Sequence, residues 1–166
     1  MKFRYLVLLA FLAIPTFIYA QKNTYIGYKY TGVTYNKSLP NGVKDLGGSL
    51  LDDDDYGVSR MKKGKTEMLW LAEITSRNKQ GIPIWKVRDV LTLPALKKNQ
   101  EILQGFTYPC TVNKKEDLNL VVLGEFLPKN KTYKVIKAWR ANTNTNKFQV
   151  ISIKGIACQS VKTESY

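Results

Sequence analysis

Histidine is absent from this chain of 166 residues, which removes Ser-His-Asp and Cys-His nucleophilic sites and every histidine-based metal site. Cysteine is scarce, with only Cys110 and Cys158. Their separation is far from the Cys-x-x-Cys spacing of a redox couple, and an even pair in an exported chain points to a disulfide. Such a bridge would contribute on the order of 4 kcal/mol through the loop it closes. Long apolar runs are lacking beyond the N-terminus, so no later stretch is long enough to span a bilayer.

Carboxylate chemistry is thin as well. Glu67 and Glu73 share a strand face but lie about 20 Å apart, whereas glycosidase pairs need roughly 5 to 9.5 Å. Glu125 could approach across a sheet, and a histidine-free hydrolase using Asp89, Glu73 or Glu125 stays open as a third reading. No nucleotide motif holds up either. Gly64-Lys65-Thr66 ends like a phosphate-binding loop, but Ser59 stands where the upstream glycine belongs and Thr66 opens a strand, not a helix.

What is present begins with a leader. Lys2 and Arg4 precede an apolar run from Tyr5 to Ile14, then Pro15 and a segment ending in Ala20, the pattern of a signal peptide over residues 1–20. Gln21 rather than cysteine follows, so a bacterial lipoprotein's acylation site is missing. The expected product is a single β-rich domain over residues 21–166, with 21–48 as an N-terminal arm, exported to the periplasm or secreted, without a membrane span. Loss of Lys2 and Arg4 from the 26 basic residues leaves 24 against 13 acidic ones, a net charge of +11. A charge of that size favours anionic partners.

The clearest structural signal runs from Glu67 to Leu93. Met68, Trp70, Ala72 and Ile74 alternate on one strand, and Trp85, Val87, Leu91 and Leu93 on another, with a polar turn ending in Gly81 between them. Pro83 sits where the second strand starts, where a missing N–H is tolerated. Ile74 opposite Trp85 pairs Ala72 with Val87, Met68 with Leu91 and Glu73 with Lys86. That register places Asp89 beside Trp70, so Asp89 needs an ion-pair partner or a place near the rim.

Elsewhere, Tyr25, Tyr28, Tyr30 and Tyr35 among threonines predict a strand or arm laid on the sheet, with aromatic stacking on sugars or bases as the alternative. Leu39 to Gly42 and Gly47-Gly48 read as turns. Asp52 to Asp55 read as a solvated acidic turn, because the far end of the segment lacks the glutamate of a calcium loop. Arg60 to Lys65 form its basic counterpart. Leu93 to Lys98 is a connection with one helical turn starting at Pro94. Glu101 to Thr111, Leu118 to Leu127, Thr132 to Ala141 and Lys147 to Ile153 read as strands, with Tyr133, Val135 and Trp139 on one face and Cys110 pointing inward. The fold class is mainly β: an antiparallel meander of about seven strands with one or two short helices at most, as an open twisted sheet or a small barrel.

Tyr56-Gly57-Val58, Met68-Leu69-Trp70, Ala138-Trp139-Arg140-Ala141-Asn142 and Lys154-Gly155-Ile156 resemble stretches of small exported bacterial proteins of a family without a characterised function. The resemblance implies a bacterial exported protein and transfers no site residue. Asn36-Lys37-Ser38 and Asn130-Lys131-Thr132 would carry glycans only in a eukaryotic host.

The expected function is a non-enzymatic, exported β domain that binds an anionic ligand or envelope polymer, without cofactor or metal. Its candidate contacts are Arg60, Lys62, Lys63 and Lys65 before the central hairpin, and Arg77 and Lys79 at its tip. The alternative is a structural or interaction module whose partner is another envelope protein, met through the tyrosine-rich segment or a sheet edge.

Overall fold

The computed structural model describes residues 24–31, 38–105, 108–129 and 131–159. Twelve strands and no α-helix are found among them. Five strands, β1 (Lys29–Thr31), β2 (Val43–Leu50), β3 (Tyr56–Lys63), β4 (Thr66–Arg77) and β5 (Pro83–Thr92), form an antiparallel sheet in the order β1-β5-β4-β3-β2. It curls into a half-barrel. A second sheet has the order β11-β10-β9-β6, from β6 (Gln100–Gln104), β9 (Leu120–Leu127), β10 (Thr132–Asn142) and β11 (Lys147–Ile151). A third, smaller sheet joins β7 (Cys110–Val112), β8 (Lys115–Glu116) and β12 (Ile156–Cys158).

Three apolar clusters stack these layers. Leu69 and Leu71 of β4 point at Val121, Leu123 and Trp139 of the second sheet. On the opposite face of β4, Met68, Trp70 and Ala72 pack with Tyr30, Met61 and Val87 inside the half-barrel. Both faces of β4 are therefore apolar and closed to water, which makes it the central element of the molecule. Leu120, Val122 and Ala138, from the far face of the second sheet, close over Cys110 and Cys158. Cys110 and Cys158 are direct cross-strand partners and form the expected disulfide, with Cα atoms 4.2 Å apart. β9, expected from its apolar run, lies between β10 and β6.

The tyrosine-rich segment enters the sheet as the edge strand β1, and residues 43–48 of the expected arm belong to β2. Tyr25, Tyr28 and Tyr30 surround Trp70 with ring centroids 5.0, 6.4 and 5.6 Å away. Tyr35 lies outside the described residues.

Bulges correct the expected registers. Ile74–Trp85, Glu73–Lys86 and Ala72–Val87 pair as expected, but Arg88 is an extra residue in β5 and shifts everything after it. Trp70 consequently faces Val90 rather than Asp89, and Met68 faces Thr92 rather than Leu91. Asp89 moves to the other face of the sheet, opposite Leu71. A second bulge, at Ile136 in β10, puts Tyr133 and Val135 in one cluster and Trp139 in another, so the three do not share a face.

Three further expectations change. Glu101 to Thr111 is two strands in two sheets, broken at Gly105, whose φ of 59° ends the extended run. Phe106, which alternation places on one face with Ile102, Tyr108 and Cys110, lies outside the described residues. Leu93 to Ala95 continue without helix. Finally, Arg60 to Lys63 belong to strand β3, because its charged side chains pair across the ladder with β4 instead of facing a core.

Candidate binding site at the β2 to β4 edge

The six cations singled out in the sequence fall in different places. Arg60 and Lys62 alternate on one face of β3, and Lys63 turns to the other, its Nζ 5.8 Å from the Tyr25 ring centroid. Lys65 follows Gly64 in the two-residue turn into β4, where the φ of 57° at Gly64 suits the first central position of a type II′ hairpin. Arg77 and Lys79 lie at the opposite end of β4. Arg60 lies opposite Leu69 and Lys62 opposite Glu67, while Arg77 ends β4, so the two groups are about 25 to 35 Å apart at the usual rise. Arg77 is used locally, donating to the Gly81 carbonyl at 3.1 Å.

The near group gathers around one carboxylate. Arg60 donates to Glu67 Oε2 through Nε at 2.9 Å and Nη2 at 2.5 Å, while Lys62 Nζ reaches Oε1 at 3.4 Å. Partial burial pushes the Glu67 carboxyl up, but hydrogen bonds and charge from Arg60 and Lys62 outweigh it and hold the group below the usual carboxylate range. Register adds a residue that the sequence reading missed: Lys44 stands directly opposite Lys62, which in turn stands opposite Glu67. Lys44, Lys62 and Glu67 thus form one cross-strand row, flanked by Arg60 and by Lys65 at the turn. Two like charges in such a row repel unless an anion lies near them. No sequence signal marks Lys44, because its strand reads locally as a pair of turns.

Clefts open on both sides of this row. One of about 480 Å³ is lined by Lys65, Thr66, Glu67, Leu93 and Pro94. The other, of about 300 Å³, lies between the β2 bulge and β6 and is lined by Ser49, Arg60, Ile102, Gln104 and Tyr108. Its wall is tightly built, since a Cβ at Gly105 would come within 2.4 Å of Ser49 Cβ. Ser49 Oγ and Gln104 Oε1 are closed to solvent there without a hydrogen-bond partner among the described residues, and a buried polar atom left unpaired costs about 1–3 kcal/mol. Burial, then Glu101, pushes the Tyr108 hydroxyl above the usual phenol range, so it remains a neutral donor.

The carboxylates considered for hydrolysis are each engaged elsewhere. Glu73 pairs with Arg88. Asp89 has the partner it was expected to need: its carboxylate accepts from the Phe148 amide at 2.8 Å and from Lys147 Nζ at 3.2 Å, tying β5 to β11. Glu125 accepts from Asn99 Nδ2 at 2.8 Å. Of the acidic run, Asp52 bonds with Asn119 at 3.2 Å and Asp53 accepts the Asp55 amide at 3.2 Å, which makes it a hydrogen-bonded turn. No cluster of three or more acidic or cysteine ligands that could hold a metal ion occurs among the described residues. No family model, curated protein or solved structure matches this chain.

Proposed function

We propose that this chain is an exported, non-enzymatic binding domain for an anionic ligand, of the class of a cell-envelope polymer, and that the contact surface is the row of Lys44, Arg60, Lys62 and Lys65. One observation carries the reading: Arg60 and Lys62 both pair with the carboxylate of Glu67, Lys44 extends their row opposite Lys62, and Lys65 lines the adjoining cleft with Glu67. Arg60 spends two donors on Glu67 and keeps others of its guanidinium fork for a ligand. The mature charge of +11 adds long-range attraction for a polyanion. A bacterial origin and an envelope location come from the leader and the resemblance in sequence; the disulfide is compatible with both.

A short polyphosphate, titrated by fluorescence anisotropy across a salt gradient, tests this. Affinity should fall linearly on a double-logarithmic plot, and each of Lys44→Ala and Lys62→Ala should lower the slope by about 0.7 to 0.9. Arg77→Ala should change little, because a short chain cannot span β4. Salt-insensitive binding, or an unchanged slope in the double variant, would sink the proposal.

A second reading, an interaction module for another envelope protein, is favoured by one feature. β11 is an edge strand, and its Val150 is 67% exposed. The tyrosine-rich segment supports that reading less, since its described tyrosines face Trp70. Retention of a discrete protein at high salt, lost on Val150→Asp, would favour it.

A further inference from the structure

On the inner face of the half-barrel, away from the cation row, the edge strands β1 and β2 approach each other without meeting. Between them lies a cleft of about 180 Å³, lined by Tyr30, Trp85, Gly57, Ser59 and the β2 segment Gly48 to Leu50. The volume is below the roughly 300 Å³ at which drug-sized ligands begin to fit, so one ring is the natural occupant.

The cleft is carved by glycines. A Cβ at Gly57 would lie 3.2 Å from Trp85 Cη2 and 3.3 Å from Cζ3, so the six-membered ring of the indole rests over bare backbone. A Cβ at Gly48 would come within 2.4 Å of the Val58 carbonyl. Glycine within a strand commonly marks such a close approach. Two hydroxyls line it: Tyr30 Oη and Ser59 Oγ are 3.4 Å apart, a long contact that leaves both with spare hydrogen-bonding capacity. Among the described residues no charged side chain lines the cleft, and Leu50, 43% exposed, forms its lip.

We infer that this cleft is a subsite for one neutral pyranose ring with equatorial hydroxyls. Such a ring presents a flat face of C–H groups to the indole and hydroxyls to Tyr30 and Ser59, matching an aromatic wall with a wet rim. The site is separate from the anion row, and neither depends on the other.

The test is an NMR titration of the ¹⁵N-labelled protein with cellohexaose and with chitohexaose. Shifts should appear at the Trp85 indole N–H and the Gly48 and Gly57 amides, while the Trp70 indole stays still. Gly57→Ala, which lifts the indole, should weaken binding about tenfold, and Trp85→Ala should abolish it. Absence of shifts with both sugars up to about 10 mM overturns the inference, as do shifts that survive Gly57→Ala unchanged. Gly57→Ala also decides the matter if Trp85→Ala does not fold. Persistence of polyphosphate binding in these variants separates failure here from failure at the cation row.

Discussion

At the end of β3 and β4 next to their turn, the two faces of the half-barrel carry opposite chemistry, although further along both are apolar. On one, Lys44, Arg60 and Lys62 line up with Glu67; on the other, Met61, Met68 and Trp70 are buried under tyrosines. The difference lies in what holds each face in place. Charged groups on the first are between a fifth and a half exposed and interact through water-screened contacts worth about 0–1 kcal/mol each. Trp70 on the second is fully buried and touches three aromatic rings, a packed environment that the first face reaches only beyond the cations, at Leu69 and Leu71. Binding groups can therefore be changed on the cation face with little risk to the fold, whereas the aromatic face tolerates change only at its open end, near Trp85.

The contrast breaks most sharply at Trp70. Trp70→Ala should destabilise the protein by about 3–5 kcal/mol in a denaturant titration, the cost of a large side chain removed from a closed core. Any fraction that remains folded should bind polyphosphate as the parent does. A loss near zero would mean that the tyrosines do not pack as described.

Tyr30 gives the next largest effect. Burial, only partly offset by the hydrogen bond to Ser59, pushes its hydroxyl up to about 12. The unfolded chain ionises first as pH rises, so stability held below pH 10 is lost between 10 and about 12. Tyr30→Phe should remove about 3 kcal/mol of that alkaline loss. Equal alkaline sensitivity in both proteins would show that other tyrosines carry it.

Glu67 offers the smallest change in stability and the largest in binding. Its folded carboxyl sits below the ordinary value of 4.5, so its contribution is present above that pH and disappears as pH falls through the folded value. Glu67→Gln should cost about 1 kcal/mol or less at neutral pH, flatten the acid limb, and raise polyphosphate affinity several-fold at low salt. Unchanged affinity would mean that the cations around Glu67 are not the contact surface.

Much of this fold is legible along the chain, and the limit of legibility has a physical cause. The β4–β5 hairpin is announced by alternation on both sides of a polar turn, and three consecutive pairs, from Ile74–Trp85 to Ala72–Val87, follow. It fails at Arg88, because a bulge adds one residue to one strand and nothing in a local pattern counts residues on the partner. β3 escapes notice for a related reason. Arg60, Lys62 and Lys63 look like a loop until Glu67 is seen standing across from Lys62. The aromatic cleft is the least legible feature: glycines at Gly48 and Gly57 hint at a close approach, but Trp85 and Tyr30 become its walls only when the sheet curls.

By itself, the sequence determined the β class, the antiparallel hairpins, the inward Cys110 and the excess of positive charge. Each follows from alternation, turn residues or composition, which act over a few neighbours. Tertiary structure alone decided which face Asp89 occupies, which cations share Glu67, and where the half-barrel leaves a ring-sized opening. Those outcomes depend on bulges and on curvature, set by packing between strands far apart in the chain.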